Sequence, residues 1–192
     1  MLEALAFQSL LLVAQLTFLV IVIALVLKIT AIAISNGYDS PFLETPSALL
    51  PRIAEALAIQ PGDVVYDLGC GDGRLLLYCA KVEPRARYVG VERNSLLFAY
   101  AHFKKWTAGN PKNIEFRRQD LFQIDVHDAS KIYTYLLTKT VNSFFSSAEK
   151  HLKGVRLVSR AFQLNGKIPN STVRLSQKVG FHGEHMLYIY EL

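Results

Sequence analysis

The sequence predicts a doubly wound α/β domain with a mostly parallel sheet, preceded by one long apolar helix. Three observations carry this expectation. From about residue 62 onward, short apolar strands alternate with helical segments, the pattern that builds a parallel sheet covered on both faces. Ala4 to Leu27 contains no charged residue. A glycine-rich turn, Gly69-Cys70-Gly71-Asp72-Gly73, stands where the first strand of the alternation passes into its first helix.

The apolar run comes first in the chain. Its 24 residues make a helix about 36 Å long, enough to cross a hydrocarbon core of about 30 Å with some tilt. A cleaved signal peptide fits less well: the only charge ahead of the run is Glu3, and the run exceeds the usual apolar length of such a peptide. A buried core helix is the other alternative, but a helix apolar on every face needs lipid or a large protein around it. The expected organisation is a transmembrane anchor over residues 1–34, a turn-rich linker over 35–46 and a catalytic domain over 47–192. Lys28 follows the span and Glu3 precedes it, which favours a single-pass protein with a cytoplasmic domain, or a matrix-side one in a mitochondrion. Cys70 and Cys79 are the only cysteines and form no disulfide framework, which suits a reducing compartment.

The net charge is +5, a mild excess. Arg85, Arg87, Arg93, Lys104, Lys105, Lys112, Arg117 and Arg118 can form a face toward anionic headgroups or an ordinary solvated surface. No nucleic-acid module appears, and no nucleic-acid partner is expected.

The elements of the domain follow in order. Thr45 is placed to cap a helix whose first turn holds Pro46 and whose apolar face is Leu49, Leu50, Ile53 and Leu57, with Pro51 as a kink. Pro61-Gly62-Asp63 turns the chain into a buried strand, Val64 to Leu68. A helix from Gly73 to Lys81, a strand Tyr88 to Glu92, a helix Leu96 to Trp106 and a strand Ile114 to Arg118 come next. They are followed by a strand Ile132 to Leu137, a helix Thr140 to Leu152 and a strand Val155 to Phe162. Two last strands, Thr172 to Val179 and Met186 to Tyr190, flank a Gly180-Phe-His-Gly183 turn and read as a closing hairpin.

The glycine loop carries the chemistry. In open α/β sheets the crevice beyond the first strand binds ligands, and glycines let a ligand approach bare backbone. Glu92, at the end of the second strand, is placed to accept hydrogen bonds from ribose hydroxyls. A dinucleotide fold requires G-x-G-x-x-G, whereas here the spacing is Gly69-x-Gly71-x-Gly73 with Asp67 and Asp72 beside it. Two carboxylates repel a pyrophosphate and attract a sulfonium carrying a free amino group. The charge pattern therefore selects S-adenosylmethionine over a nicotinamide dinucleotide. Asp120, beside Leu121-Phe122, is placed to accept from an adenine amino group between apolar neighbours, or simply to cap a loop.

Val64 to Arg74 (V-V-Y-D-L-G-C-G-D-G-R), Val89 to Asn94 (V-G-V-E-R-N) and Arg118 to Phe122 (R-Q-D-L-F) resemble the first motifs of class I, seven-strand, Rossmann-like methyltransferases. The Pro41-Phe42 to Thr45-Pro46 lead-in, Leu136-Leu137-Thr138 and the Arg156 to Phe162 strand resemble one branch of them. That branch is the small protein-lysine methyltransferases of archaea and mitochondria. Pro51 and the stretch from Asn165 to Ser171 depart from it. The resemblance implies that Asp67, Gly69, Gly71 and Gly73 hold the methionine part of the cofactor. It gives Glu92 the ribose, Asp120 and Leu121 the adenine, and Thr45 a place near the carboxylate. It also implies a protein substrate in or near the membrane.

Methyl transfer from a sulfonium is an in-line displacement that calls for alignment and desolvation and no covalent nucleophile. A lysine acceptor, with a reference pKa near 10.4, costs about 4.6 kcal/mol to present as the neutral amine at pH 7. Tyr135 and Thr138, at the end of the fourth strand, are the candidates to line its pocket, with Tyr135 equally suited to core packing. N-P-P-Y, typical of base-amino methyltransferases at this place, is replaced by Thr134-Tyr-Leu-Leu-Thr138. A lipid or quinone methyltransferase and a non-catalytic cofactor-binding module remain as alternatives. His182-Gly-Glu-His185 lacks the H-E-x-x-H spacing, and no metal is expected. Trp106 is expected to pack at a helix end.

Overall fold

The computed structural model describes residues 2–35, 43–175 and 186–192. These fall into two units, an N-terminal helix and the domain that begins after it. The expected linker, apart from its ends, the Pro41-Phe42 lead-in, the Gly180-Phe-His-Gly183 turn and the pair His182 and His185 lie outside the described residues.

Helix α1 spans Leu2–Ser35. Ala6–Thr30 is long and apolar enough to cross a membrane, and none of it is buried within the protein.

The domain is built on a seven-stranded sheet: β1 (Val64–Leu68), β2 (Arg87–Val91), β3 (Ile114–Arg117), β4 (Lys131–Thr134), β5 (Arg156–Arg160), β6 (Ser171–Arg174) and β7 (Met186–Glu191). The spatial order is β3-β2-β1-β4-β5-β7-β6. Strands β1 to β5 pair in parallel. Strand β7 runs antiparallel between β5 and β6. The order reverses between β1 and its neighbours β2 and β4, so the crevice opens beyond the carboxyl end of β1.

The helices are α2 (Leu50–Leu57), α3 (Arg74–Val82), α4 (Ser95–Thr107) and α5 (Thr138–Ala148). Residues alternate between two cores because successive strand side chains face opposite ways. Val65 and Tyr88 face Ile53 and Leu57 of α2, Leu76 and Cys79 of α3 and Ala101 of α4. Tyr66, Leu68, Val89 and Val91 face Val141, Phe144 and Phe145 of α5. The doubly wound sheet predicted from the alternation is the observed one.

Several boundaries differ from the sequence reading. Thr45 caps no helix: residues Ser47–Leu49 form a 3₁₀ turn, and α2 begins only at Leu50. Pro51 then falls in the first turn of α2, where its missing N–H has no helical partner to lose, so no kink arises. Strand β4 stops at Thr134, and Thr138 opens α5 instead of ending the strand. Strand β5 ends at Arg160 because Ala161 takes a positive φ of 67°.

Tyr88 links α3 to the sheet. It is fully buried, and its hydroxyl lies 2.8 Å from the Glu83 carbonyl and 3.0 Å from that of Cys79. Tyr88→Phe leaves the ring in place and removes the hydroxyl's bond to these carbonyls, which keep their backbone donors. Thermal or urea unfolding is expected to show a loss of about 1–2 kcal/mol; an unchanged midpoint would show that water replaces the hydroxyl.

Candidate active site

Strand β1 ends in Asp67-Leu68, and the chain then turns through three glycines with positive φ: Gly69 (78°), Gly71 (55°) and Gly73 (72°). Two of these positions are closed to other residues by contact as well as by conformation. A Cβ on Gly69 would lie 2.7 Å from Leu136 Cδ2, and one on Gly73 would lie 2.4 Å from Phe116 Cζ. Leu136 comes from the loop after β4 and Phe116 from β3, so neighbouring strands hold the glycine loop against the sheet. Gly73 then caps α3.

Glu92 follows β2 and grips this loop. One carboxylate oxygen accepts from the Gly71 amide at 2.9 Å, and the other accepts from the Asn94 amide at 2.8 Å. The Asn94 side chain in turn caps α4, accepting from Leu96 and Leu97. Burial pushes the Glu92 carboxyl above its usual range, and the backbone amides pull against that shift. Sequence reasoning placed Glu92 as a ribose acceptor; its grip on the loop was not visible there, because it depends on the β1–β2 register.

Asp67 is 4% exposed. Burial first, then the nearby carboxylates of Glu92 and Asp72, push its pKa up to about 8. Asp67 is thus a buried acid with negative neighbours, a position that gains from a cation. Asp72 is different. Its carboxylate accepts from Arg74 Nε at 2.9 Å and from Lys104 Nζ at 2.9 Å. Burial alone would raise its pKa, but these cations overcome burial and leave it below the usual range. Asp72, expected together with Asp67 to attract a sulfonium or ammonium, is already paired with these two cations, which leaves Asp67 and Glu92 as the candidates for that role.

Asp120 caps the 3₁₀ turn Leu121–Gln123, accepting from the Phe122 amide at 3.1 Å. Its other oxygen lies 3.7 Å from Arg93, the residue after Glu92. Leu121 is partly buried against the α5-side core. Asp120 thus does the loop-capping work that was its alternative reading, with one oxygen turned toward the β2 end.

A second group forms at the ends of β4 and β5. Arg160 is buried, its guanidinium donates to Thr45 Oγ1 at 2.9 Å, and its Cζ lies 4.2 Å from the Tyr135 ring centroid. Tyr133 is buried beside it and pairs in register with Asp67. Burial raises the Tyr133 phenol; Arg160 draws it down and Asp67 pushes it up. Thr45 and Tyr135 therefore meet through Arg160, which no local motif announced: Thr45 and Arg160 are 115 residues apart. Thr138 is exposed at the start of α5, where its carbonyl accepts from Asn142. The structure links no side-chain contact of Thr138 to the other candidates.

Known proteins share this arrangement of strand, glycine loop and helix. A model of the ANTKMT methyltransferase domain matches residues 67–171, from Asp67 through β5 to the start of β6. The chain belongs to this methyltransferase family. It is 31% identical over 153 residues to a protein-lysine N-methyltransferase of Saccharolobus islandicus, covering 78% of this chain and 92% of that protein. It is 27% identical over 125 residues to the mouse adenine nucleotide translocase lysine N-methyltransferase, of which it spans 54%. Among solved structures, an RNA methyltransferase from Salinibacter ruber in complex with S-adenosyl-L-homocysteine superposes with a TM-score of 0.68 at 29% identity. That match covers 78% of this chain and 93% of the other.

The domain is an S-adenosylmethionine-dependent methyltransferase, and its residues fit that cofactor. A Cβ at Gly69 or Gly73 would meet Leu136 or Phe116, and no ion pair among the described residues supplies Asp67 with the positive charge that the cofactor's ammonium and sulfonium would bring. When bound, the cofactor supplies an electrophilic methyl group. Of the chain's own groups, Glu92 holds the glycine loop through the Gly71 amide, and Asp67 is a buried acid beside it.

Two outcomes follow for Asp67. It ionises in the folded chain only near pH 8, but near 3.9 when unfolded. The folded state therefore holds a proton that the unfolded state has lost between those values, and cofactor-free stability falls as pH rises from about 4 to about 8. Asp67→Asn is expected to remove that decline and to melt above the wild type at pH 8; parallel pH profiles would contradict the buried acid. At pH 7 cofactor binding is expected to release a proton in the wild type and not in Asp67→Asn. Calorimetry in buffers of different ionisation enthalpy reads this directly.

Proposed function

We propose that the chain is a membrane-anchored protein-lysine methyltransferase, with α1 spanning the bilayer, residues 47–192 as the catalytic domain, and a substrate protein in or near the same membrane. The observation that carries the lysine substrate is the 31% identity across 92% of the archaeal protein-lysine N-methyltransferase. The names of further relatives agree: the mouse protein acts on lysine of the adenine nucleotide translocase, and a Caenorhabditis elegans relative, 30% identical over 93 residues, on lysine of an ATP synthase subunit. The chain spans about half the length of these two animal proteins. The anchor is supported by the length and apolar composition of Ala6–Thr30. Lys28, on the domain side of most of the span, supports a cytoplasmic or matrix-side domain.

The proposed roles follow the geometry. Asp67 pairs with the cofactor's ammonium, Gly69, Gly71 and Gly73 admit its methionine part, and Glu92 accepts from the ribose while holding the loop. Asp120 accepts from the adenine with the oxygen not used in capping, beside Leu121. Thr45 lies near the cofactor carboxylate by its bond to Arg160, and Tyr135 and Thr138 border the acceptor. An amine reaching this region must lose its proton before transfer, and burial against Tyr133 and Tyr135 lowers its pKa in the needed direction.

An RNA substrate is the second reading, favoured by the likeness to the Salinibacter RNA methyltransferase. Incubation of the full chain with membranes, RNA and methyl-labelled cofactor separates the two. Label is expected on protein, recovered as methyl-lysine after hydrolysis, and lost with Asp67→Ala. Label confined to RNA, or to the organic extract, would contradict the proposal.

A further inference from the structure

Helix α4 carries a row of exposed aromatics. Tyr100, Phe103 and Trp106 are 44%, 56% and 69% exposed. Their rings touch in sequence: Tyr100 stacks near Phe103 with centroids 6.5 Å apart, and Phe103 meets Trp106 at 6.1 Å. Trp106 therefore does not pack at the helix end as the sequence suggested. Three contiguous large aromatics facing water are a cost unless something covers them.

The chemistry of the neighbourhood narrows what that is. Between Glu92 and Glu115 the chain has no carboxylate, while Lys104, Lys105 and Lys112 lie within that stretch. Nothing on the helix itself therefore repels an anionic surface. The basic face considered from sequence does not by itself provide the attachment: Arg85 pairs with Glu83, Arg87 with Asp128, Lys104 with Asp72 and Arg117 with Glu115. The apolar contact has to come from the aromatics. Tyr and Trp with nearby Lys are the composition of the membrane–water interface, where amphipathic rings settle among headgroups.

We propose that Tyr100, Phe103 and Trp106 form an interfacial docking surface that rests in the headgroup layer of the bilayer entered by α1. This rests on the spanning role proposed for α1. Seven residues, 36–42, separate α1 from the first described residue of the domain, at most about 30 Å of extended chain. Three aromatics bind a bilayer weakly alone, but a tether this short keeps their local concentration high, so a weak contact is occupied much of the time. The consequence is that the domain is held by two attachments instead of by the tether alone.

Trp106 is the only tryptophan in the chain, so its fluorescence reports on this surface without labelling. The full chain is reconstituted into vesicles of phosphatidylcholine and phosphatidylglycerol, with and without brominated acyl chains. Docking predicts a blue-shifted Trp106 emission, protection from acrylamide and quenching by the brominated lipid. It also predicts that Tyr100→Ser/Phe103→Ser, checked for native secondary structure, loses much of the shift and quenching. Absence of quenching in the wild type overturns the proposal, as does quenching that the double variant leaves intact. Protection from acrylamide without lipid quenching overturns it too, in favour of cover by a second copy or another protein. Carbonate extraction of the same vesicles tests α1 separately: release of the chain defeats the spanning role, while retention without Trp106 quenching defeats the docking alone.

Discussion

The site depends on two buried carboxylates held side by side. Asp67 and Glu92 stand at the ends of adjacent parallel strands, and their proximity is unfavourable in the cofactor-free protein: burial raises both carboxyls, and Glu92 adds to the cost of ionising Asp67. The β1–β2 register imposes this arrangement. The amides of Gly71 and Asn94 make it tolerable by solvating Glu92. Asp67 keeps its proton up to about pH 8 in consequence.

The glycines follow from the same constraint. For the Gly71 amide to reach Glu92, the chain must turn tightly through positive φ between β1 and α3. Positive φ already disfavours side chains at Gly69 and Gly73, and there a Cβ would also displace Leu136 or Phe116. Asp72 belongs to the support around the loop: Arg74 and Lys104 join it to α3 and α4, and Arg74 also donates to the Thr45 carbonyl at 2.9 Å. The lead-in segment is thereby joined to the glycine loop, although the two are distant in sequence.

Local pattern made much of this legible. Strands β1, β2 and β3 and helices α3 and α4 fall within about a residue or two of their expected limits, because short apolar runs and turn residues are local signals. The glycine loop and Glu92 were readable because their spacing reflects one β-α-β unit. Elements set by tertiary context were less readable. Thr45 reads locally as a helix cap because Thr before Pro is a common signature, yet its hydroxyl is taken by Arg160 from β5. Asp72 looked like a free charge, since the sequence does not reveal that Lys104 comes over from α4. Trp106 looked like a packing residue because aromatic type alone says nothing of which face of a helix it occupies.

The central claim is that Glu92 both shapes the glycine loop and binds the cofactor at the carboxyl end of the sheet. Titration of the full chain, in detergent, with S-adenosylmethionine tests it most directly, with Glu92→Ala beside the wild type. Saturable one-to-one binding is expected for the wild type, weakened at least about tenfold in the variant, since a charged hydrogen-bond acceptor is lost. Equal affinity in both, with the variant folded, would contradict the account and place the cofactor elsewhere.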